Sequence, residues 1–87
     1  MLFRSVAGRL RAERIRLAQL HGGWTADNPW TQRAVARRLR ITATGLGARE
    51  LGRAAPNTLD DWQAWAAVLG LEFWQVVAEC RRSAGRP

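Results

Sequence analysis

With 87 residues and a net charge of +7 from 14 arginines, no lysine and 7 acids, the chain is expected to form one small basic domain suited to a polyanionic partner. The lone Cys80 excludes an internal disulfide framework and a cysteine-based zinc site, and the longest apolar run, Ala64 to Leu71, is too short to span a bilayer. One histidine, one cysteine and no tyrosine leave little for catalysis, so the reading is of a cytoplasmic protein that is not an enzyme and needs no cofactor and no metal.

Phe3, Val6, Leu10, Leu17 and Leu20 recur at helical spacing with arginines on the other faces, which predicts an amphipathic first helix over residues 3–19. His21 to Pro29, with Gly22-Gly23 and Asp27-Asn28-Pro29, reads as an exposed loop. Thr31 is suited to cap a second helix running to Leu39 with Val35, Ala36 and Leu39 inward, and a third helix is expected over residues 43–51. Gly52 to Asn57, containing Pro56, breaks the chain before Thr58-Leu59-Asp60-Asp61, the hydroxyl-then-carboxylate start of a fourth helix. Leu59, Trp62, Trp65, Ala66 and Leu69 form its apolar face, and Gly70 ends it. A fifth helix follows from Glu72 to Cys80 with Phe73, Val76, Val77 and Cys80 inward. There is no strand signal and no repeat. The expectation is an all-α, compact five-helix domain over residues 1–80, an extended loop at 20–30 and a flexible basic tail at 81–87.

The charge is unevenly placed. Residues 1–53 hold eleven arginines and three acids, a net +8, whereas residues 54–87 hold three arginines and four acids, a net −1. The positive half contains Thr31-Gln32-Arg33-Ala34-Val35-Ala36-Arg37-Arg38-Leu39-Arg40-Ile41-Thr42 and the following Ala43-Thr44-Gly45-Leu46. That is the outline of two short helices joined by a tight turn, with a small Ala36 where they cross and Thr42 capping the second. Such a helix-turn-helix presents one helix to the major groove of DNA.

Four pieces occur in one order: Arg14-Ile15-x-Leu17, Thr31-Gln32-x-x-Val35-Ala36-x-x-Leu39-x-Ile41-Thr42, Glu50-x-Gly52, and Pro56 leading into Leu59 and Ala67-x-Leu69-Gly70-Leu71. Over residues 8–78 the chain therefore resembles the DNA-binding domain of phage repressors, the Cro/CI or XRE-like family of five-helix helix-turn-helix proteins. The resemblance implies a transcriptional regulator that binds double-stranded DNA, acts as a homodimer and is nucleoid-associated. It also implies that Arg14 and Glu50 pair; the alternative is that both are solvated surface residues.

By the same resemblance Gln32, beside Thr31 at the start of the second helix, contacts the DNA backbone; on the residues alone it reads as an ordinary exposed glutamine. Ala43, Thr44, Gly47 and Ala48 take the positions that face base edges, with Thr42 nearer the phosphates. Arg33, Arg37, Arg38, Arg40 and Arg53 are expected on flanking phosphates. The chain departs from the family pattern at Arg40, where relatives place glycine, and at Arg49, where they place an apolar core residue. With Gly45 and Gly47 weakening helix 3, that helix is expected to be short, shifted in register so that Leu51 replaces residue 49 in the core, or no longer a base reader at all.

The loop between helices 1 and 2 is longer than in close relatives and carries His21, Trp24 and Trp30. Its tryptophans fold back on the core, dock a partner or face DNA. Trp62, Trp65 and Trp74 serve the core or a dimer face. A second functional reading keeps the fold but makes it an inhibitor or cofactor that grips a protein partner through Trp24, Trp30 and Trp74. Membrane-surface binding by helix 1 ranks below both, because the core needs its apolar face. Asp60 and Asp61 read as favourable charges in the first turn of helix 4.

Overall fold

Apolar side chains at three- and four-residue intervals organise the chain into α1 (Leu2–Leu20), α2 (Gln32–Leu39), α3 (Ala43–Glu50), α4 (Leu59–Val68) and α5 (Phe73–Ala84). The structure is a computed structural model that describes residues 2–84, and among the described residues there is no strand. α1 packs against α5 and α3, α2 against α3 and α4, and α4 against α5. Val6, Ala7, Leu10, Val35, Ala36, Leu46, Trp65, Ala66, Leu69, Val76, Val77 and Cys80 form one continuous core.

Three of the five helices start on a threonine hydroxyl that replaces a missing intrahelical acceptor. Thr31 accepts from the Ala34 N–H at 3.2 Å, Thr42 from Gly45 at 2.9 Å and Thr58 from Asp61 at 3.1 Å. Four helices end with the same pair of backwards bonds, in which a residue one or two positions past the helix adopts positive φ. Gly22, Gly52 and Gly70 supply that residue for α1, α3 and α4. Arg40 supplies it for α2, at φ 60° and ψ 39°. A Cβ in this conformation costs about 1–2 kcal/mol, so the expected strain at Arg40 is present in the turn.

The two halves of the core differ in chemistry. Trp62 lies half-buried between Phe3 (5.5 Å between ring centroids, edge-on), Trp65 (5.5 Å, stacked) and Phe73 (5.8 Å, tilted), joining α1, α4 and α5. Trp65 is fully buried, and its indole N–H has no partner.

Several expectations fail at helix ends. Leu20 is 68% exposed and Ala18 is buried instead, under the loop, because the chain turns back at Gly22 and the loop closes over the end of α1. Leu59, the first residue of α4, is 47% exposed, and only from Trp62 onward does that helix cross the core. α5 runs past Cys80 to Ala84, so Arg81 and Arg82 lie in its last turn, where cations complement the helix dipole. The rest of the expected flexible tail, residues 85–87, lies outside the described residues. Leu51 does not enter the core. It is 58% exposed and Arg49 is half-buried, so α3 keeps its register with Leu46 and Glu50 inward.

Candidate nucleic-acid interface

The turn from α2 to α3 is three residues long and closed from within. The Arg40 N–H donates to the Arg37 carbonyl at 3.1 Å and the Ile41 N–H to the Ala36 carbonyl at 3.0 Å. Ile41 packs against the core and Thr42 opens α3. These local bonds fix where α2 stops and α3 starts.

The inner face of α3 is held by a buried carboxylate. Glu50, its side chain fully buried, accepts from Arg14 Nε at 2.5 Å and Nη2 at 3.1 Å. The third Arg14 nitrogen donates to the Trp30 carbonyl at 3.1 Å, and Gln32 Nε2 donates to Glu50 at 2.9 Å. One carboxylate thus ties α1, α2, α3 and the end of the loop together. Such a pair contributes little net stability against an apolar isostere, but a single lost partner leaves a buried charge uncompensated.

The outer face of α3 is an open groove lined by Gln32, Ala43, Thr44, Gly47, Ala48, Leu51 and Arg53. Little on α3 itself donates a hydrogen bond into it. The Gln32 amide is on Glu50, Thr44 alone of the residues assigned to base edges carries a hydroxyl, and the one cation lining the groove, Arg53, lies past the end of α3. A Cβ placed on Gly47 would lie 3.5 Å from Gln32 Nε2, an ordinary contact. Close packing of α2 on α3 therefore does not require that glycine.

Arg33, Arg37, Arg40 and Arg53 are exposed and form no salt bridge among the described residues. Arg38 differs. Its Nη2 donates to the Pro29 carbonyl and its guanidinium lies 4.7 Å from the Trp30 ring centroid, so it clamps the loop to α2 instead of standing free for a phosphate. Thr31 is half-buried, its hydroxyl accepting from Ala34 and donating to the Asn28 carbonyl at 3.4 Å.

The loop is anchored by a residue that the sequence marked only as a turn former. Asn28 is 2% exposed; its amide donates to the Ala18 carbonyl at 2.8 Å and to the Gly23 carbonyl, and its Oδ1 accepts from the Trp30 N–H at 2.8 Å. Trp30 consequently folds back against the core, leaving its indole N–H buried and unpaired. Trp24 and Trp74 stay 61% and 52% exposed.

Glu13 was also missed, although its neighbours stand at helical spacing. It is 7% exposed and accepts from Arg16 at 2.5 and 3.2 Å and from Arg9 at 3.2 Å. The Arg16 bonds hold its carboxyl below the usual glutamate value, burial pushes the other way, and Arg9 adds to the lowering. Burial pushes the Cys80 thiol up. Among the described residues no group of three or more potential ligands is placed to hold a metal ion, and no helix is long and apolar enough to cross a membrane. Neither a family model, a curated protein nor a solved structure matches the chain.

Proposed function

We propose that this chain is a DNA-binding transcriptional regulator of the phage-repressor helix-turn-helix type, which lays the outer face of α3 in the major groove and binds duplex DNA as a dimer. One observation carries the reading. An outward helix face free of bulky polar groups is flanked by four exposed arginines without acidic partners, while the opposite face of the same helix is locked by Glu50. Small side chains let the helix approach the base edges, and Arg33, Arg37, Arg40 and Arg53 reach the backbone on either side.

Recognition on this surface is apolar. Ala43, Thr44, Ala48 and Leu51 suit contact with thymine methyl groups, and no groove-lining side chain of α3 itself supplies the paired hydrogen bonds that read guanine or adenine. Sequence preference then comes from methyl contacts and from DNA shape. Four phosphate contacts per chain give a log–log salt slope of about −3.6.

A gel shift on random duplex at low salt tests the proposal. The wild-type chain is expected to shift the duplex and Arg37→Ala/Arg53→Ala to lose that shift while keeping its fold. No shift at any salt rejects DNA binding and favours the second reading, a protein-interaction module, for which the exposed Trp24 and Trp74 are the supporting observation.

A further inference from the structure

The basic rim of the groove does not end at Arg53. Gly52 follows Leu51 at the end of α3 with φ +75°, and a Cβ built on it would stand 2.9 Å from Cγ of Arg4, 3.5 Å from its Cδ and 3.6 Å from its Nε. The stem of Arg4, from the first turns of α1, therefore lies directly on the bare backbone of Gly52. The guanidinium is carried to the end of α3, beside the residue that forms one wall of the groove. Arg4 is exposed, as is Arg53, and neither forms a salt bridge among the described residues. Glu50, the acid of this corner, is fully buried and committed to Arg14 and Gln32.

Arg53 follows Gly52 in the chain and is likewise exposed, so this corner carries two cations and no free acid. The carbonyl end of the α3 dipole offsets this only in part, as partial charge and within one turn. A phosphodiester oxygen between them would satisfy both through charge-assisted hydrogen bonds. We infer that Arg4 and Arg53 form, across Gly52, a seat for a backbone phosphate of the duplex, extending the interface from α3 onto α1. The inference rests on the DNA-binding reading and adds a contact from a helix outside the two-helix unit. Gly52 matters twice: its positive φ ends α3, and its missing side chain lets Arg4 lie flat.

The test is a salt titration of duplex binding by fluorescence anisotropy on the full chain, with circular dichroism to match folding. Arg4→Gln is expected to weaken binding and to make the log–log slope shallower, by at most about 0.9 per chain because Arg53 still faces the same phosphate, while Arg4→Lys keeps the slope. Arg16→Gln is the control. It removes the same unit charge from an arginine already paired with Glu13, and the slope is expected to stay at the wild-type value. A wild-type slope in Arg4→Gln overturns the seat and leaves the α3 groove standing. Equal losses in Arg4→Gln and Arg16→Gln also overturn it, because overall charge then accounts for the effect. A wild-type chain that binds no duplex removes the seat and the proposed function together.

Discussion

The α1–α3 half and the α4–α5 half are held by different forces. In the first, the packing of Leu10, Val35, Ala36 and Leu46 is joined by hydrogen-bonded polar groups: Glu50 with Arg14 and Gln32, and Asn28 with the backbone of α1 and the loop. In the second, Trp62, Trp65 and Phe73 fill the space between helices and bond to nothing. Aromatic burial is non-directional and supplies stability. A bidentate pair on a buried carboxylate is directional and specifies an angle. The angle it specifies here is that of α3, the helix assigned to DNA.

The sharpest way to break this contrast is to remove one partner of the pair. Glu50→Ala is expected to cost about 3–5 kcal/mol by stranding the Arg14 charge, a fall of tens of degrees in Tm for a domain of this size, at about 4–8 °C per kcal/mol. Trp65→Ala should cost a similar amount by cavity formation, about 3–5 kcal/mol. The halves separate when both partners go. Arg14→Met/Glu50→Leu should recover most of the lost stability yet bind duplex poorly, because α3 is no longer oriented. Calorimetry with a gel shift checks this, and a double variant that binds as tightly as wild type would deny the pair its positioning role.

A smaller effect tests the turn between α2 and α3. Arg40→Gly relieves the left-handed strain and should stabilise the fold by about 1 kcal/mol while weakening duplex binding through the lost cation. Chemical denaturation and anisotropy should therefore move in opposite directions. If both improve, Arg40 makes no phosphate contact.

The smallest effect is in the pH dependence. The Glu13 carboxyl titrates below its ordinary value near 4.5, chiefly because Arg16 donates to it. Fewer protons bind in the folded state, so its contribution to stability is complete above about pH 4.5 and fades as pH falls through the lowered folded value. Arg16→Gln should flatten the acid limb of the stability curve by lowering stability slightly above about pH 4.5, a small loss because Arg16 is largely exposed and screened.

How much of this was legible in the sequence depended on how local the physics was. Helix starts at Thr31, Thr42 and Thr58 could be read directly, since a hydroxyl and an N–H three residues on are all that a cap requires. Arg14 and Glu50 are 36 residues apart, and only the resemblance to a family pattern suggested that they pair. Leu20 and Leu59 were misjudged for one reason. At a helix end, burial is decided by what crosses there, and hydropathy carries no information about the crossing. Arg38 looked equivalent to Arg37, but the loop that captures it is brought back by Asn28, whose three bonds follow from the loop's path. Arg4 gave no signal at all, because its place on Gly52 arises only when α1 meets α3.

The central claim is that the outer face of α3 and its arginine rim form the binding surface. Amide chemical shifts of the labelled chain, titrated with a short duplex, test it most directly. Perturbations are expected to concentrate in residues 31–33, 37, 40 and 42–53, with α4 and α5 near baseline. Perturbations centred on Trp24 and Trp74, or none at saturating duplex, would contradict it.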